Sequence, residues 1–181
     1  MDDIDKKFLL NKDNNQFKKC VFCEDNILEY EHGYVVEKAY KYNNKSNDFE
    51  IIFEYALCLE CVQHLSSEMS EESTNNIEKY FEANVKPLSA SQLIDLKART
   101  ETCMITGESL SKSKEYQIAA VYQKESMIIN ERFPFAISGI IIEEIQELIS
   151  EKTRNFTDKF KDLIIPPQER DKIPKDRILI F

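Results

Sequence analysis

The sequence predicts an α+β fold made of two tandem units, each a tight turn, a β-hairpin and helices. Three observations predict it. The cysteines include two C-x2-C pairs, Cys20/Cys23 and Cys58/Cys61, with 34 residues between them. The stretch between the pairs is rich in strand formers around a polar turn, and the stretch after the second pair has helical spacing. A weaker version of the same order returns in the second half.

Residues 1–19 are polar, with several Asn and Lys, and read as a loose N-terminal arm. Tyr34–Tyr40 and Phe49–Ala56 are β-branched and aromatic, and Asn43–Asp48 between them is a turn. After Cys58, apolar Val62, Leu65 and Met69 share one helical face. Ser70-Glu71-Glu72-Ser73 reads as a second helix start, followed by Ile77, Tyr80, Phe81 and Val85, with Pro87 ending it. The first unit is therefore 20–85. Residues 86–102 form a connector, with 91–97 a candidate short helix. A second unit follows at 103–163. The tail 164–181 carries Pro166, Pro167 and Pro174, so it reads as extended, with Arg177–Phe181 apolar enough to dock.

The cysteine pairs carry the chemistry. Two thiolates three positions apart fit one turn and reach a single ion at about 2.3 Å. Two such turns complete a tetrahedron, so Cys20, Cys23, Cys58 and Cys61 are the candidate ligands of a structural Zn2+. Four thiolates leave no open position for water. An iron–sulfur cluster would use the same ligands, a C-x2-C redox pair needs a βαβ setting that is lacking, and two unrelated pairs of packed thiols remain an alternative. If Cys58 caps its helix, the free N–H groups of the first turn face the sulfurs, and the positive helix end offsets their charge.

The order knuckle, hairpin, knuckle, helix resembles a treble-clef or zinc-ribbon-like zinc finger over about residues 18–70. The resemblance places Cys20 and Cys23 on the first knuckle and Cys58 and Cys61 at the helix start. The segment F-E-Y-A-L-C-L-E-C, Phe53 to Cys61, also resembles uncharacterised bacterial proteins, a likeness that implies no function.

The second half repeats this order. Cys103-Met104-Ile105-Thr106 matches Cys20-Val21-Phe22-Cys23, and Tyr116-x5-Tyr122 matches Tyr34-x5-Tyr40. Residues 136–160 align with 56–80. The four ligand slots become Cys103, Thr106, Ser138 and Ile141, which cannot hold zinc. The second unit is thus expected to be degenerate and metal-free. Ser138 is expected to keep the N-cap oxygen and Ile141 to fill the vacated site. Ile141, Ile145, Leu148 and Ile149 form the inner helix face and Glu143, Glu144 and Glu147 the outer one. Cys103 reads as an inert buried thiol. His32 and His64 read as a loop and a solvated helix position.

Charge narrows the function classes. The whole chain carries a net −9, and residues 20–150 alone hold 11 basic and 23 acidic side chains. Such a surface repels phosphate, so nucleic-acid binding is disfavoured, although Lys152, Arg154, Lys159 and Lys161 could form a local basic stripe. No apolar run approaches the roughly 18 residues of a membrane span, and the start shows no signal-peptide pattern. The expectation is a cytoplasmic, non-catalytic, zinc-stabilised protein with a protein partner. A nucleic-acid-binding regulator and a thiol-dependent redox protein are the alternatives.

Overall fold

A computed structural model of the chain describes residues 6–165. The expected tail lies outside the described residues from 166 onward, as does the arm before residue 6.

Strands β1 (Tyr34–Asn43) and β2 (Asp48–Cys58) form the expected hairpin, paired from Tyr34↔Cys58 to Asn43↔Asp48 with a register shift at Ala39/Tyr40. Gly33 opens it at φ +87, a region that disfavours a side chain, and a Cβ there would lie 2.5 Å from the Tyr122 carbonyl oxygen. Helices α1 (Leu59–Glu68) and α2 (Glu71–Asn84) follow. The connector holds two short helices, α3 (Ala90–Ile94) and α4 (Leu96–Glu101). The second half supplies β3 (Glu115–Gln123), β4 (Ser126–Ile128), β5 (Phe135–Ser138), α5 (Gly139–Glu147) and α6 (Glu151–Ile164).

All five strands make one antiparallel sheet of order β2-β1-β3-β4, with β5 also on β3. The two halves therefore share a sheet, joined where β1 lies against β3 with Glu37 opposite Ala119 at the centre. This pairing brings Tyr34 opposite Tyr122 and Tyr40 opposite Tyr116. Both tyrosine pairs stack, at 5.5 and 4.8 Å between ring centroids. β4 and β5 share the outer edge of β3, with residues 129–134 between them.

Residues 6–19 are not a loose arm. Phe8, Leu9 and Phe17 are buried, and Phe8 meets Tyr122 edge-on at 6.4 Å. Buried Lys38 donates to the Leu9 carbonyl and pairs with Glu54 at 2.9 Å, while Glu54 accepts the Asn11 N–H at 3.0 Å. Three large apolar side chains among the Asn and Lys residues give this segment enough area to dock. On the β2 side, Tyr55 receives Phe160 of α6 edge-on at 5.8 Å.

The helices α2 and α6 meet at their N-termini. The N-caps of α2 and α6, Ser70 and Ser150, meet with their hydroxyls 2.7 Å apart. Ser70 N–H donates to Thr153 at 2.9 Å and Ser150 N–H donates to Ser73 at 2.8 Å. Glu71, Glu72 and Glu151 in the first turns offset the two positive helix ends brought together here. Beyond their caps each helix reaches the other half: Tyr80 of α2 donates to Glu144 of α5, and Phe160 of α6 meets Tyr55.

Candidate metal centre

The first knuckle is a hydrogen-bonded loop against the sheet. Cys20 N–H donates to the Asp25 carbonyl at 3.0 Å, and Glu24 N–H donates to the Cys20 carbonyl at 2.9 Å, with Glu24 at φ 64. Val21 N–H reaches the Ala56 carbonyl at 2.9 Å and ties the knuckle to β2. Because β2 runs directly into α1, Cys58 is the last strand residue and also the helix N-cap. Its Sγ accepts the Cys61 N–H at 3.4 Å.

The sheet and helix thus bring the four predicted cysteines together. Their sulfurs all lie within 4.8 Å of one another, and Cys23 and Cys58 are 3.9 Å apart. A tetrahedron with 2.3 Å zinc–sulfur bonds has edges of about 3.8 Å. A disulfide needs about 2.05 Å, and all five cysteines are free. Cys20, Cys58 and Cys61 are buried; Cys23 is exposed.

The sulfurs act on one another. Burial pushes Cys20 up, but N–H groups of Cys23, Cys58 and Phe22 outweigh it and leave the thiol below its usual range. Desolvation among the sulfurs, with Cys20 adjacent, pushes Cys23 up to about 11. Burial, then the neighbouring sulfurs, push Cys61 far upward. Gathering these thiols out of water disfavours ionising Cys23 and Cys61, and a cation at the centre would offset that cost. The donor set fits a soft, tetrahedral divalent ion. Cys20, Cys23, Cys58 and Cys61 would hold it.

The loop around Cys103 has a backbone hydrogen-bond pattern like that of the first knuckle, with a single sulfur. Cys103 N–H donates to the Glu108 carbonyl at 2.9 Å, Gly107 N–H to the Cys103 carbonyl at 2.8 Å, and Met104 N–H to the Ala136 carbonyl at 2.8 Å. Gly107 takes φ 72, where Glu24 stands in the first knuckle. Ile141 is 3 % exposed and occupies the interior as expected, alongside Ile142 and Ile145. The expectation for Ser138 is corrected. It stands at the N-cap of α5, but its hydroxyl makes no cap hydrogen bond. Its N–H and its hydroxyl both turn to Cys103 Sγ, each at 3.5 Å. Burial pushes the Cys103 thiol up, but N–H groups of Thr106, Ser138 and Ile105 and the Ser138 hydroxyl together bring it below the usual value.

The remaining candidates are apart from this chemistry. His32 and His64 are exposed, and His64 lies beside Phe22 at 5.8 Å between rings. Of the four residues that could form a local basic stripe, Lys152 and Lys159 are exposed, Lys161 is buried and paired with Asp158 at 2.9 Å, and Arg154 donates to the Gln146 carbonyl at 3.1 Å. No described helix is long and apolar enough to cross a membrane. Sequence reasoning missed the hydroxyl cluster of Ser70, Ser73, Ser150 and Thr153; the shared S-E-x-[ST] spacing of the two helix starts was its only signal.

Comparison with protein-family models, curated proteins and solved structures finds no match, so the likeness of Phe53–Cys61 to bacterial proteins gains no support there.

Proposed function

We propose that this chain is a zinc-stabilised, non-catalytic module that works by binding another protein. In this reading it is built from two tandem treble-clef-like units, the first holding zinc and the second metal-free. The convergence of four sulfurs within 4.8 Å of one another at a capped helix start carries the zinc assignment. Four thiolates saturate the ion and leave no position for substrate, which supports a structural role. The duplication is supported by the knuckles, where three backbone hydrogen bonds and one left-handed residue recur at equivalent places. It is supported again by the reciprocal tyrosine stacks and helix caps. The free thiols suit a cytoplasmic protein.

The acidic balance of residues 20–150 favours a protein partner over nucleic acid. Size-exclusion chromatography of the zinc-loaded chain with native extract tests the reading, alongside a heparin column at low salt. The expected results are a zinc-containing complex and flow-through from heparin. Salt-dependent heparin retention supports a nucleic-acid-binding regulator instead, and a lone chain with measurable turnover overturns the proposal.

A further inference from the structure

Three of the four clustered cysteines are buried and one, Cys23, is exposed. A small oxidant reaching the cluster from solvent meets Cys23 first. Cys58 Sγ lies 3.9 Å from the Cys23 sulfur, close enough to close a disulfide after a small movement. The residue before Cys23 connects the cluster to the other half of the molecule. Phe22, 40 % exposed, has its ring 6.4 Å from that of Phe160 on α6, which also packs on Tyr55. Cys103 stands apart, buried against Ser138.

We propose that the cluster is a peroxide-sensitive latch: oxidation at Cys23 joins it to Cys58, expels the metal and loosens the contact of Phe22 with α6. This rests on the zinc reading above. In the first step the Cys23 thiolate attacks hydrogen peroxide, an S–O bond forms, the O–O bond breaks and hydroxide leaves. The sulfur is oxidised by two electrons and the peroxide is reduced. In the second step the Cys58 thiolate attacks the Cys23 sulfur, an S–S bond forms, the S–O bond breaks and a second hydroxide leaves. Two thiolates and one peroxide become one disulfide and two hydroxides. The two remaining thiolates, Cys20 and Cys61, no longer make a closed tetrahedral site.

The test uses the full chain, with bound zinc measured first and equimolar hydrogen peroxide then added. Zinc release is followed with a chromogenic chelator, and thiols are mapped by alkylation and mass spectrometry. The expected results are complete zinc release, a Cys23–Cys58 disulfide, unmodified Cys103, and faster amide exchange in α6. Dithiothreitol with zinc restores the starting state. Cys103→Ser releases zinc at the wild-type rate. Zinc retained through a large excess of peroxide, or Cys103 oxidised before zinc leaves, overturns the latch. A chain that carries no zinc at the outset overturns the zinc reading instead.

Discussion

Cys61 and Cys103 are both buried thiols, and the account expects them to answer substitution in opposite ways. Cys61→Ser removes one of four converging sulfurs, so the chain should lose its metal on dialysis. Cys103→Ser should leave metal content unchanged, and elemental analysis of the two variants decides. Cys103 has its own pH signature. Its folded pKa lies below the unfolded value, so its ionised form stabilises the fold fully above the unfolded thiol range, and that stability is lost as pH falls through the folded pKa. Denaturant titrations of wild type and Cys103→Ser should therefore diverge as pH rises from neutral toward alkaline and converge on the acid side. Tyr55 is a third case. Its hydroxyl donates to Glu37 at 2.6 Å in the buried centre of the sheet, so Tyr55→Phe should cost about 1–3 kcal/mol in the same titration. The cysteine cluster was legible because a C-x2-C pair is a local device: the turn that brings two sulfurs together is written in four residues. The role of Ser138 was not, because a hydroxyl at an N-cap has a choice of partners. Here the choice fell on a sulfur that only the folded sheet brings near.

At the scale of elements, the joined N-caps of α2 and α6 couple the halves. Each N-cap serine bonds its own helix and the opposing cap. Ser70→Ala and Ser150→Ala should each cost about 1–2 kcal/mol of unfolding free energy. The double variant should cost measurably less than their sum, since either change already breaks the shared hydroxyl contact. Additive losses would mean that the two caps act independently. Much of the element order was readable: β-branched and aromatic runs around a polar turn marked β1 and β2, and the serine starts marked α2 and α6. The docking of residues 6–19 was hidden because Phe8, Leu9 and Phe17 follow no strand or helix period, and their burial depends on a sheet surface made elsewhere. The split of the second return strand into β4 and β5 was hidden by expecting the second half to copy the first.

For the whole molecule, the account holds that one half is fastened by metal and the other by hydrocarbon around the same knuckle geometry. Installing sulfur in the second half should then restore a site. The triple variant Thr106→Cys, Ser138→Cys, Ile141→Cys should bind a second zinc ion, and native mass spectrometry would count it. A properly folded triple variant with unchanged stoichiometry would count against the two-unit reading. Removing the metal from the wild type should unfold the first knuckle and the β2–α1 junction, because thiolate–zinc binding contributes on the order of 10 kcal/mol in small fingers. The pairing of β1 with β3 could not be read from a single sequence, since a repeat predicts two similar units without saying which strands join them. The central claim is that four sulfurs meet at one ion, and X-ray absorption at the zinc edge of the purified full chain tests it most directly. The account predicts a single zinc shell of four sulfurs at about 2.3 Å. An absence of zinc, or a shell dominated by nitrogen or oxygen, would contradict it.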